Sequence, residues 1–85
     1  MSPRTSEENE RIKAQTRQRI LEAGLKVFAL RGYHAATIGE VAGEAGLSHG
    51  LVYHYFTSKE DILLELTAMA FEGSITANRE AASVA

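Results

Sequence analysis

The sequence predicts an all-α fold: a three-helix bundle containing a helix-turn-helix, followed by the start of a fourth, connecting helix. Three observations predict it. Apolar residues recur every three or four positions after Glu10 and again after Ser58, and no strand pattern of any strength lies between them. Thr37-Ile38-Gly39-Glu40 has the form of a capping box and opens a short segment that closes at Gly46. Leu47-Ser48 then leads directly into a second short segment, and two short helices joined by a Gly-containing turn describe a helix-turn-helix.

Taken in order, residues 1–9 are polar and are expected to form a flexible N-terminal arm, with Thr5-x-x-Glu8 available as an early cap. From about Glu10 the pattern is helical, since Ile12, Thr16, Ile20, Ala23, Val27 and Phe28 share one face. Gly32 ends that helix, and Tyr33 to Ala36 form a short connection. The second helix is expected over 38–45, with Val41, Ala42 and Ala45 as its apolar stripe. Gly46 takes the left-handed turn, Leu47 points back to the core, and Ser48 caps a third helix over 49–55. Ser58-x-x-Asp61 is a weaker cap for the fourth helix, whose buried stripe is expected to be Ile62, Leu63, Leu66, Met69 and Ala70. Gly73 is expected to break or fray it. The predicted core packs Ile20, Ala23, Val27 and Phe28 against Val41, Ala42 and Ala45, and Val52, Phe56 and Leu63 close the other side. The helix-turn-helix domain is thus 10–58, and the helix of 59–85 should dock onto something beyond this chain.

Eighty-five residues make one small domain near the lower limit for a self-sufficient core. A hydrophobic content of 45% argues against disorder throughout. The absence of cysteine removes disulfides, thiol catalysis and thiolate metal sites, and fits a cytoplasmic protein. The N-terminus is too polar for a secretory signal, and no apolar run is long enough to cross a bilayer, so no membrane partner is expected. The net charge of −2 is unevenly spread: residues 1–34 carry +3 and residues 35–85 carry −5, as if one end alone faced a polyanion. No nucleophile–base pair, metal cluster or phosphate loop is present, so neither catalysis nor a cofactor is expected.

The second helix of a helix-turn-helix is shaped to lie in a DNA major groove. Projected at about 100° per residue, Val52 and Phe56 face inward, Gly50 and His54 lie opposite with Leu51 beside them, and Tyr53 and Tyr55 flank. That outward face carries no Lys, Arg, Asp or Glu. His49 and His54 are candidates for contact with base edges or phosphates; the plainer alternative is that both are simply exposed. Their i, i+5 spacing places them on different faces, unlike a paired metal site. Leu51 either meets a thymine methyl or is a partly buried surface leucine. Gly50 lets backbone approach DNA closely, and Ser48 is counted with this set as the cap beside it. Thr37 offers a hydroxyl and neighbouring amides to a phosphate, although capping alone would account for it. Lys59, at the start of the fourth helix, is expected to clamp a phosphate with its ammonium and the helix dipole, the alternative being a solvated lysine. Arg4, Arg11, Lys13, Arg17 and Arg19 read mostly as solvated helix-face charges, with Arg4 within reach of a backbone or minor groove.

Arg19-Ile20-Leu21-x-Ala23, Phe28, Gly32-Tyr33, Thr37-Ile38, Val41-Ala42-x-x-Ala45-Gly46-Leu47-Ser48, Gly50-x-Val52-Tyr53-x-x-Phe56 and Ser58-Lys59-Glu60-x-x-Leu63 together resemble the tetracycline-repressor (TetR) family of bacterial transcription regulators. The resemblance covers about residues 12–66. It implies a homeodomain-like DNA-binding domain that continues into a larger helical domain, which forms the homodimer and binds a small-molecule effector. It implies double-stranded DNA with a palindromic operator as the partner, a repressor released by the effector, and no enzymatic activity. It also implies a phosphate contact for the Tyr53 hydroxyl while its ring packs, and the same clamp for Lys59. Tyr55 stands where the family often has histidine, and its phenol retains a donor for phosphate. A helical protein-interaction module without DNA binding is the competing reading, favoured by the negative charge and the uncharged third helix.

Overall fold

The fourth helix meets the first at a point where a side chain is missing, and this crossing organises the rest. The computed structural model describes the backbone of residues 3–84 and the side chains of residues 6–73. Four helices follow one another: α1 Pro3–Arg31, α2 Ile38–Ala45, α3 His49–Tyr55 and α4 Lys59–Val84. A Cβ built at Gly24 of α1 would lie 2.7 Å from the Ile62 Cγ2 of α4, closer than packed carbons approach. Gly24 therefore admits the fully buried Ile62 against the α1 backbone.

The short helices are defined by their ends. At α2 the Thr37 hydroxyl accepts the Glu40 N–H at 3.1 Å, and the Glu40 carboxylate accepts the Thr37 N–H at 3.1 Å, completing the capping box. At the other end Gly46 sits at φ 70°, where a β-carbon is strained. The Leu47 N–H then donates to the Ala42 carbonyl at 2.9 Å, the pattern of a Schellman turn. Ser48 accepts the Leu51 N–H at 3.1 Å and starts α3. Gly32, at φ 82°, terminates α1 as its sequence position implies. At α4 the Ser58 hydroxyl accepts the Asp61 N–H at 3.3 Å, and the Asp61 carboxylate accepts from both the N–H and the hydroxyl of Thr57.

The core comprises Ile20, Leu21, Ala23 and Val27 of α1, Ala36, Ile38, Val41, Ala42 and Ala45 in and before α2, Val52 and Phe56 at α3, and Ile62 of α4. Among the described residues it contains no buried polar or charged side chain. Small Ala42 and Ala45 keep α2 close to its neighbours, as expected. Three ion pairs brace α1 from outside: Lys26 to Glu44 at 3.2 Å, Arg17 to Glu65 at 3.1 Å, and Arg31 to Glu40. Arg17 also lies over the Phe56 ring, 5.3 Å from its centroid, so it is not the free surface charge expected of it.

α1 begins at Pro3, within the polar residues expected as the N-terminal arm. Pro3 suits the first helical position, and the following stretch is mostly helix-compatible polar residues. Three other expectations are corrected. Ile12 is exposed, because the buried part of α1 begins at Ile20 and the helix extends well before it. On α4 it is Ile62, not Leu63, that closes the core: Ile62 is 0% exposed and Leu63 39%. One residue rotates the buried stripe by about 100° and leaves Leu64, Met69 and Phe71 exposed. Gly73 does not break α4, which runs on to Val84. No helix among the described residues is long and apolar enough to cross a membrane.

Between the α1–α2 turn and α4, the Phe28 and Tyr33 rings meet edge to face with centroids 5.1 Å apart. The Tyr33 hydroxyl is buried without a completed hydrogen bond. Loss of water raises its pKa, and the neighbouring Glu60 carboxylate raises it further without closing a bond to it. Glu60 is held below the ordinary carboxylate range, first by its own backbone N–H, then by the Tyr33 and Ser58 hydroxyls and the Lys59 charge.

Two outcomes follow from this packing. Gly24→Ala gains about 1 kcal/mol of helix propensity but overpacks a buried β-branched side chain, at a cost of about 1–3 kcal/mol. Chemical denaturation should show net destabilisation by Gly24→Ala in the parent and a smaller effect of the same substitution in an Ile62→Ala background; a stabilised single variant would contradict the crossing. Because Glu60 is depressed in the folded chain, its contribution is full above its ordinary pKa of 4.5 and is lost as pH falls through the lower folded value. The stability difference between the parent and Glu60→Gln should therefore shrink below that pH, and a difference independent of pH would contradict the assignment.

Candidate nucleic-acid interface

A helix of seven residues offers few inward positions, and α3 spends them on Val52, which is fully buried, and on Phe56 at its C-cap. Of the other residues of α3, Tyr55 is half-buried against the core and the rest are exposed. Gly50 and His54 are exposed, on the side opposite Val52, and nothing lies within 4 Å of a Cβ built at Gly50. Leu51 is 37% exposed, midway between the two readings of it.

His49 and Tyr53, one helical turn apart, stack with centroids 5.1 Å apart and planes 20° from parallel. The Tyr53 ring, 49% exposed, thus packs on an imidazole at the surface rather than on the core. A Cβ at Gly39 would lie 3.7 Å from His49 Cε1 and 3.8 Å from Thr37 Oγ1. The imidazole accordingly lies near the first turn of α2, at a distance where a Cβ at Gly39 would make ordinary contact with it. Thr37, Gly39, His49 and Tyr53 form one continuous exposed surface joining the start of α2 to α3.

The donors of this surface are mostly neutral. The Thr37 hydroxyl is engaged with Glu40 both as acceptor and as donor, the latter at 3.2 Å, so its one proton is committed to the cap. Ser48 Oγ accepts from Leu51, and its own proton is uncommitted among the described residues. The Glu40 carboxylate, the one acid in the first turn of α2, is neutralised by Arg31 and by the Thr37 N–H. Tyr55 differs from Tyr53: it is half-buried against the core, and its ring meets His54 edge-on at 5.4 Å.

At the start of α4 the Lys59 ammonium donates to the backbone carbonyls of Tyr33 at 2.7 Å, His34 at 3.1 Å and Ala36 at 3.2 Å, and lies 4.5 Å from the centroid of the Tyr33 ring. The Tyr33 carbonyl also accepts the Ala36 N–H at 3.3 Å. Sequence reasoning quoted Tyr33 without giving it a role; an aromatic just after the helix-ending Gly32 was the available signal.

A family profile described as "Bacterial regulatory proteins, tetR family" matches residues 20–66. The fatty acid metabolism regulator protein of Bacillus subtilis (strain 168) is 43% identical over 47 residues, covering 55% of this chain and 24% of that protein. The HTH-type transcriptional regulator SrpR of Pseudomonas putida is 41% identical over 54 residues, covering 64% of this chain and 25% of that protein. Among solved structures, that of the fatty acid degradation regulator FadR from Bacillus halodurans superposes with a TM-score of 0.72 at 32% identity, covering 76% of this chain and 34% of that one. The chain thus spans about a quarter of the length of these two curated relatives. The profile match takes in α2, α3 and the surface that joins them, and the chain belongs to the tetR family of bacterial regulatory proteins.

Proposed function

We propose that this chain is the sequence-reading domain of a transcriptional regulator, with the exposed face of α3 seated in the DNA major groove. The observation that carries the reading is the continuous neutral surface from Thr37 through Gly39 and His49 to Tyr53, bordered by exposed Gly50, Leu51 and His54. The Tyr53 and Ser48 hydroxyls and the first-turn amides of α2 meet phosphates and set register, with Tyr55 at the margin. His54, Leu51 and His49 face base edges, and Gly50 allows the backbone close. Lys59, at the start of α4, adds an ammonium to this contact set, since the Tyr33 carbonyl it meets keeps the Ala36 N–H when the ammonium turns to a phosphate.

Each good bidentate base contact discriminates by about 1–3 kcal/mol, so one uncharged helix is too weak alone. The full-length protein therefore acts as a homodimer on a near-palindromic operator, with half-sites about 34–36 Å apart or a multiple of that. It represses in the cytoplasm until a small-molecule effector binds outside this chain. The apolar groove between α1 and α4, lined by Leu25, Phe28, Leu63 and Leu66, is where the rest of such a protein would rest. A protein-interaction module without DNA binding gains no support from the family match.

Selection of bound duplexes from a random pool should return a defined half-site motif. His54→Ala should loosen preference at one or two base pairs, whereas Tyr53→Phe should weaken binding to all sequences alike, by roughly 1 kcal/mol. Recovery of an unenriched pool by the parent chain would contradict the reading.

A further inference from the structure

Long side chains on a helix lean back toward its N-terminus and come to lie over the residue four positions earlier. For Tyr53 that residue is His49, the first of α3, and the two rings stack with planes 20° apart. The Tyr53 ring is 49% exposed, so the core does little to fix it. Among the described residues it has no other aromatic partner. The imidazole also lies near the other helix of the interface, since a Cβ built at Gly39 would be 3.7 Å from His49 Cε1. His49 thus stands between the first turn of α2 and the Tyr53 ring. A ring stacked through its face keeps its edge, nitrogens included, for other partners.

We propose that His49 is a positioning residue for DNA binding: its imidazole face holds the Tyr53 ring, and with it the hydroxyl, in a set place beside the first turn of α2. The proposal rests on the reading in which that hydroxyl meets a phosphate, and it leaves the imidazole edge free for a base. In that reading the α2 amides and the Tyr53 hydroxyl come from different helices but must match phosphates of fixed spacing. An unsupported tyrosine loses rotamer freedom when it meets its phosphate, whereas a stacked ring has already given that freedom up.

Random-sequence duplex separates phosphate contacts from base readout. With labelled duplex of that kind as the probe, His49→Ala should weaken binding about threefold, less than loss of the hydroxyl in Tyr53→Phe. His49→Phe, which can stack but has no ring nitrogen, should bind within about twofold of the parent. In a Tyr53→Phe background, His49→Ala should have no further effect. His49 is exposed and alanine is the best helix former, so the Ala variant neither empties the core nor weakens α3. An Ala variant that binds like the parent, a Phe variant as weak as the Ala variant, or a loss that persists without the Tyr53 hydroxyl would each overturn the proposal. Tyr53→Phe binding like the parent would overturn it together with the phosphate role of Tyr53, while selection with His54→Ala still decides whether α3 reads bases. Should the parent bind no duplex, the proposed function fails, and the χ1 coupling constants of Tyr53 in the free chain decide whether His49 holds the ring. They should average toward free rotation in His49→Ala and stay as in the parent in His49→Phe; unchanged values in His49→Ala would overturn the proposal.

Discussion

Five side chains are completely withdrawn from water, and every helix supplies at least one: Ile20 and Leu21 from α1, Val41 from α2, Val52 from α3, and Ile62 from α4. The rest of the molecule depends on their meeting at one point. Each contributes about 1.5–3 kcal/mol of burial, and α3 is held by Val52, its C-cap Phe56 and half-buried Tyr55. Those inward positions set the rotation of α3 and leave Gly50 and His54 outward. Gly24 belongs to the same constraint, since its missing β-carbon brings Ile62 within reach of the others.

Electrostatics follow from this packing in a way that total charge does not convey. The basic half of the chain does not simply offer its cations to a polyanion. Arg17, Lys26 and Arg31 are paired with carboxylates of α4 and α2. Exposed ion pairs of this kind are worth about 0–1 kcal/mol each; their larger consequence is to neutralise Glu40 and Glu44 on the helix that adjoins the reading face. The surface from Thr37 to His54 itself presents hydroxyl, imidazole, glycine and amide, groups suited to register and shape more than to bulk attraction.

Much of this was legible in the sequence because helix ends are local. Thr37 and Glu40, Gly46, and Ser48 each act within four residues, so the bounds of α2 and α3 could be read directly. Rotation of a long helix was harder. In Ile62-Leu63-Leu64 the apolar residues are consecutive, and only the gap left at Gly24 selects Ile62 as the buried one. The exposure of Ile12 was hidden for a similar reason, since periodicity continues past the point where partners stop. The position of Lys59 at a helix start is a sequence fact, while the three carbonyls its ammonium meets are brought together by the turn after Gly32. The packing of His49 near the first turn of α2 was hidden in the same way, since Gly39 and His49 are ten residues apart.

The central claim is that the surface from Thr37 to His54 meets base pairs and phosphates as one unit. Backbone amide shifts followed by nuclear magnetic resonance while duplex DNA is titrated into the chain would test it most directly. The account predicts that the largest changes cluster at residues 37–39 and 48–55 and spare the Leu25, Phe28, Leu66 side of the molecule. Changes confined to that apolar side, or spread evenly over all four helices, would contradict it.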